Sequence, residues 1–139
     1  MIIVDTGAWV GLANRRDQYH VPCRTFFKHN TEPLITTCAV LVETTHLLFN
    51  RIGVAMTLAW LETIQAQGVV IAAPKPEDFP EMTRFMRQYA DLPMDLADAS
   101  LLLLAGQLGH GRIVSTDQRD FRTYRWKQHH PFINLLTLL

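Results

Sequence analysis

Five carboxylates occupy positions where an acid is unusual. Asp5 directly follows the apolar run Met1 to Val4, and Asp117 follows Arg112-Ile-Val-Ser115. Glu43 interrupts an otherwise apolar segment that runs from Val40 to Leu48. Asp95 and Asp98 stand at the mouth of Leu96 to Ala105, a stretch apolar on almost every side. Acids enter such surroundings only when paired, hydrogen-bonded or bound to a cation. Each has a plain structural account. Asp5 can end a strand and cap a turn, and Glu43 can face solvent. Asp95 and Asp98 can cap a helix, whose free N–H groups and positive end favour carboxylates.

Taken together, the acids suggest a chemistry. If Asp5 and Asp117 end neighbouring strands, and Glu43 and Asp98 lie on helices entering from the same edge, four carboxylates share one cleft. That is where open α/β sheets place their ligands. Two unit charges ~4 Å apart repel by about 4 kcal/mol at an effective dielectric of 20. A cation has to hold such a group together. An all-oxygen set without Cys or His suits Mg²⁺ or Mn²⁺ better than Zn²⁺. A site of that kind supports metal-assisted hydrolysis of a phosphodiester.

The elements that must position these acids alternate in type. Met1 to Val4 has the β-branched, fully apolar character of a buried parallel strand. A helix is predicted from Val21 or Pro22 to His29, then a strand at Leu34 to Thr36 and a helix from Cys38 to about Arg51 that carries Glu43. Past Gly53 comes an amphipathic helix, Val54 to Gln67, with Leu58, Leu61 and Ile64 expected on its buried side. A strand at Val69 to Ala73, a helix at Glu77 to Tyr89 and the helix opening near Asp95 follow. Arg112 to Ser115 reads as a strand, Gln118 to Tyr124 as a short helical turn and Phe132 to Leu135 as a last strand. The pattern predicts one α/β domain over residues 1–139, with a mostly parallel sheet.

Composition narrows the classes. Hydrophobic content is 48% and charged content 19%, as in an ordered globular protein. Net charge is zero, so any nucleic-acid contact has to come from a local patch. Cys23 and Cys38 lack metal-ligand spacing and are expected to be buried thiols in a reducing compartment. No run is long enough to span a bilayer and no signal peptide is visible, so no membrane partner and a cytoplasmic location are expected.

Four segments carry a resemblance. Val4-Asp5-Thr6, Leu41-Val-Glu43-Thr44, Asp95-Leu-Ala-Asp98-Ala99 and Ser115-Thr-Asp117-Gln-Arg-Asp120-Phe121 resemble, in order, the four acidic motifs of the PIN-domain nucleases. The spacing and length are similar to the VapC-type toxins of prokaryotic toxin–antitoxin pairs. The resemblance implies a PIN-like three-layer α/β/α fold with a roughly five-stranded sheet. It implies a Mg²⁺- or Mn²⁺-dependent endoribonuclease that forms a homodimer and is blocked by an antitoxin. Carried over position by position, Asp5, Glu43, Asp98 and Asp117 form the catalytic metal-binding quartet. Asp95 is then a fifth acid, and Thr6 and Thr116 are polar groups flanking the metal. Asp120 reads as a helix-turn acid paired with an arginine.

The RNA surface is expected near the C-terminus. Arg112, Arg119, Arg122 and Arg125 are the candidates for holding phosphates, with Tyr124 and Trp126 placed to stack on bases. A solvated face with its aromatics packed inward is the equally open account. The alternatives in function are a PIN-like RNA-binding or dimerising module without catalysis, and a Mg²⁺-dependent phosphatase or phosphotransfer domain using Asp5 as nucleophile. The second lacks the Asp-x-Asp after the first strand and a lysine after the late strand. A serine hydrolase is disfavoured because the only two serines, Ser100 and Ser115, lie in no Gly-x-Ser-x-Gly elbow.

Overall fold

The computed structural model describes residues 1–137. Its centre is β1 (Ile2–Val4), whose three side chains are at most 1% exposed. Successive residues of a strand point to opposite faces, so their joint burial means that both faces of the sheet are covered. Four more strands complete the sheet: β2 (Leu34–Thr37), β3 (Val70–Ala72), β4 (Arg112–Val114) and β7 (Ile133–Asn134). The order is β3-β2-β1-β4-β7, and every pairing is parallel. The expected mostly parallel, roughly five-stranded α/β sheet is therefore present.

Helices connect the strands. These are α1 (Thr6–Ala13), α2 (His20–His29), α3 (Cys38–Ile52), α4 (Val54–Ala66), α5 (Phe79–Gln88), α6 (Leu96–Leu108) and α7 (Gln118–Thr123). Trp9 on α1 fixes the first crossover. Its indole N–H donates to the Thr36 hydroxyl at 3.2 Å, and that hydroxyl donates to the Val4 carbonyl at 2.9 Å. Its ring stacks on Phe27 and meets Trp60 edge-on. Thus one buried aromatic ties α2 and α4 to the two central strands. On α3 the residues Val40, Thr44 and Leu48 are buried, one turn apart on one stripe. The Thr44 hydroxyl is satisfied by the Val40 carbonyl at 2.7 Å, which lets a polar residue sit in the core.

Several expectations need correction. α1 is a full helix of eight residues where only a turn was read, because Thr6-Gly-Ala-Trp-Val-Gly-Leu-Ala has no helical stripe: Thr6, Ala8, Trp9, Val10 and Gly11 are all buried. The buried face of α4 is Thr57, Trp60 and Ile64, while Leu58 is 46% exposed. The predicted helix at Glu77 opens as a 3-10 turn, Pro76–Asp78, before α5. Cys23 is buried as expected but Cys38, the first residue of α3, is exposed. A small antiparallel ribbon was not foreseen: β5 (Arg125–Trp126) pairs with β6 (His130–Pro131). Its turn places Lys127 and Gln128 at φ 47° and 70° without a glycine, so turn chemistry gave no signal. No helix among the described residues is long and apolar enough to cross a membrane.

Candidate active site

The acids gather at the C-terminal edge of the sheet. Asp5 follows β1 and caps α1, and its carboxylate accepts the Thr6 N–H at 2.7 Å. The Ser115 hydroxyl, just past β4, donates to the other Asp5 oxygen at 2.8 Å. The same hydroxyl oxygen accepts the Asp117 N–H at 3.0 Å. Ser115 therefore spaces two acids on adjacent strands. Asn134 of β7 clamps this turn in both directions, accepting the Ser115 N–H at 3.2 Å and donating to its carbonyl at 2.8 Å. Asp117 caps α7 by accepting the Asp120 N–H at 3.2 Å.

α6 brings the third motif. Asp95 caps it, accepting the Asp98 N–H at 2.8 Å, and Gly109 closes it at φ 78°. Both ends are where the sequence places them. Asp98 is half-buried, and the hydroxyl of Tyr124 donates to one of its oxygens at 3.1 Å. Tyr124 is fully buried against Tyr89 and Phe121. α3 carries Glu43 into the same region after its Thr37 cap, and the Thr37 hydroxyl is bonded to Ser100 of α6 at 2.8 Å. That buried pair locks the two acid-bearing helices together.

Electrostatics confirm the gathering. Burial, chiefly, pushes the Asp5 carboxyl up to about 6, against the opposing pull of Ser115 and the Thr6 N–H, with Asp117 and Asp95 adding repulsion. Glu43 is pushed up to about 7 by burial and then by a shared proton with Asp95, with Asp5 adding to it. Asp98 rises to about 8 through burial and the charges of Asp5 and Asp95. Asp117 is raised by burial and by the neighbouring Asp120. Each acid's list of repelling neighbours names the others, so all five belong to one electrostatic site.

Two buried oxygens here have no hydrogen-bond partner among the described residues: the Thr6 hydroxyl and one carboxylate oxygen of Asp120. Asp120 lies 3.5 Å from the Arg119 guanidinium, as the arginine pairing expected, but also presses on Asp117. Gly7 packs so tightly on Thr116 that a Cβ would lie 1.9 Å from the Thr116 hydroxyl. Thr116 thus serves the fit of α1 against this loop. Among the described residues no three His, Cys, Asp or Glu side chains already enclose an ion-sized space. The donor chemistry fits a hard divalent cation all the same. The donors are all oxygens, two of them orphaned, and the carboxylates are held partly neutral by mutual repulsion.

The arginines expected to bind RNA do not gather here. Arg112 begins β4, at the opposite end of the strand from Asp117, and grips Glu32 through two bonds of 2.7 and 2.8 Å. Arg125 donates to the carbonyls of Arg122, Thr123 and Tyr124, closing α7. Arg119 and Arg122 are exposed. Tyr124 is not free to stack on a base, because it is buried with its hydroxyl on Asp98. Trp126 is half-exposed and stacks on His130 at 4.4 Å. Ser115, Tyr124 and Asn134 were missed as site residues. Their only sequence signal was nearness to the fourth acidic segment, and the long-range bonds are not visible in one sequence.

A parallel sheet with acids from both central strands and two helices at one edge defines a PIN-type domain. Residues 2–127 match the PIN domain family, and the chain belongs to it. Ribonuclease VapC26 of Mycobacterium tuberculosis (strain ATCC 25618 / H37Rv) is 23% identical over 124 residues, covering 89% of this chain and 92% of that protein. The crystal structure of Mycobacterium tuberculosis VapC20, described as a sarcin-ricin loop cleaving toxin, superposes with a TM-score of 0.84 at 18% identity. The match covers 99% of this chain and 100% of that one.

Proposed function

We propose that this protein is an endoribonuclease dependent on Mg²⁺ or Mn²⁺, and the toxin of a toxin–antitoxin pair. The single observation that carries the reading is the convergence of Asp5, Glu43, Asp98 and Asp117 from separate elements into one mutually repelling cluster. Family membership and the likeness to a VapC ribonuclease support it. Asp5, Asp98 and Asp117 would hold the cation, with Glu43 and Asp95 beside them. A bound divalent cation supplies charge neutralisation at the phosphodiester and lowers the pKa of a coordinated water.

The chain's own residues do the rest. Ser115 and the Thr6 N–H aim Asp5, and Tyr124 aims Asp98. Glu43, whose carboxyl exchanges a proton near neutrality, is the group suited to take the proton of the attacking water. The natural partners on this reading are RNA, a cognate antitoxin that covers the cleft and a second copy of the chain, in the cytoplasm.

The test is cleavage of single-stranded RNA by the purified protein. Cutting is expected with Mn²⁺ or Mg²⁺ and is expected to stop on adding EDTA. Asp98→Asn and Asp5→Asn are each expected to lose at least 100-fold, since each removes an anionic donor. Undiminished cutting by either variant, or cutting that survives EDTA, refutes the assignment.

A further inference from the structure

We infer that the loop carrying Arg15 and Arg16, together with the His20, Arg24 and Lys28 stripe of α2, binds the phosphate backbone of RNA outside the cleft. This rests on the ribonuclease reading above. The first support is how the cations are distributed. Arg51, Arg84, Arg112 and Arg119 lie in ion pairs, and the Arg125 guanidinium is spent on carbonyls. Arg15, Arg16, Arg24 and Lys28 are exposed and form no ion pair among the described residues. His20, Arg24 and Lys28 recur every four residues, so they share one face of the helix at about 6 Å intervals. The His20 ring is anchored by a 2.7 Å hydrogen bond to the Gly11 carbonyl.

The second support is shape. A groove of about 640 Å³ is lined by Leu12, Ala13, Arg15, His20, Arg24 and Met56. A smaller one of about 190 Å³ continues along α2 between His20, Arg24 and Lys28. No acid lines either groove. The nearest acid, Asp17, accepts the Tyr19 N–H at 2.8 Å and faces Arg51 at 3.9 Å, so it does not neutralise the stripe. On a chain of zero net charge this concentration of cations sets up a local positive field.

The third support is position. α1 starts at the Asp5 cap and ends at Ala13, so its eight residues span about 12 Å from the cleft to the edge of this surface. An RNA strand whose scissile phosphate sits among the acids reaches Arg15 within a few nucleotides. Phosphate contacts of this kind fix register and carry affinity without reading sequence. RNA is favoured over an acidic protein because the cleft's own substrate is a polyanion that extends past it.

The experiment compares the wild-type chain with the triple variant Arg15→Gln, Arg24→Gln, Lys28→Gln. A control variant, Lys75→Gln, Arg84→Gln, Arg87→Gln, removes equal charge from the other side of the chain's sequence. Binding of a fluorescein-labelled 20-nucleotide single-stranded RNA is read by anisotropy in Ca²⁺ between 50 and 200 mM KCl, with circular dichroism checking the fold. Loss of three phosphate contacts is expected to lower the slope of log affinity against log salt by about 2, at roughly 0.7 per contact. Affinity is expected to fall about tenfold or more at low salt, with the control variant keeping the wild-type slope. An unchanged slope in the triple variant overturns the inference. So does unchanged RNA binding combined with lost binding of polyglutamate, which assigns the surface to an acidic protein. If the wild-type chain neither binds nor cuts RNA, the ribonuclease reading itself fails, and that outcome is distinct from either of these.

Discussion

At the scale of single residues the acids are held in a state that disfavours the fold by itself. The carboxyls of Asp5, Glu43 and Asp98 rise to about 6, 7 and 8, from ordinary values of 3.8, 4.5 and 3.8. Their neutral forms are the ones the folded protein prefers. Their contribution to stability is therefore fully present below about pH 4 and is lost as pH rises through 6 to 8. For Asp5 alone the shift corresponds to about 3 kcal/mol. The melting temperature of the metal-free protein is expected to fall between pH 5 and pH 8.5, and Mn²⁺ is expected to restore it at the upper end. Asp98→Asn is expected to raise the metal-free melting temperature at pH 8.5 by a few degrees while abolishing cleavage. A flat melting profile over that window would count against the clustered, partly neutral acids. Tyr124→Phe isolates the orienting bond, because the ring stays packed on Tyr89 and Phe121. It is expected to weaken Mn²⁺ binding, measured by calorimetry, by roughly tenfold with little change in KM for RNA. Unaltered Mn²⁺ affinity would show that the Tyr124 hydroxyl serves packing alone.

At the scale of elements, α6 shows that a cap and a ligand are separable roles on neighbouring turns. Asp95 accepts the Asp98 N–H, and an asparagine does this nearly as well. Asp95→Asn thus keeps the helix while removing charge, whereas Asp95→Ala is expected to lose about 1 kcal/mol of stability through the missing cap. Mn²⁺ affinity is expected to drop further in Asp98→Asn than in Asp95→Asn, and the reverse order would make Asp95 the principal ligand. The ends of this helix, the central strands and the five acids were legible in the sequence because caps, β-branched runs and out-of-place charges are local signals. α1 was not, since a helix buried all round has no stripe to read. The Arg125 to Pro131 ribbon was not, since its turn lacks the residues such turns favour. The bonds that orient the acids, Ser115 to Asp5 and Tyr124 to Asp98, span 110 and 26 residues. Only folding brings those partners into view. The arginines failed for a related reason: sequence shows where charge is, but not that Arg112 is already committed to Glu32 across 80 residues.

At the scale of the whole molecule, apolar surface is concentrated where α3 passes into α4. Phe49, Val54, Met56 and Leu58 are each more than 40% exposed around the Gly53 corner. Scattered apolar residues are ordinary, but a cluster at one corner is what a subunit contact buries. On the homodimer reading, Met56→Glu with Leu58→Glu is expected to convert a dimer to a monomer in light scattering, leaving the single-chain core intact. A dimer that persists in this variant would move the contact elsewhere.

The two thiols of the chain have unequal fates. Cys23 is buried and its thiol is pushed up to about 11, while Cys38 stands exposed on the first turn of the helix that carries Glu43. Thiolate reactivity follows access and ionisation. A maleimide dye offered to the native chain should therefore attach at one place, with no engineered cysteine and none removed. That place is one turn and a quarter from an acid of the cleft, five residues along the same helix. The unaltered sequence thus comes with its own attachment point for an optical reporter, through which occupation of the cleft by RNA or by an inhibiting protein can be followed as a change in emission.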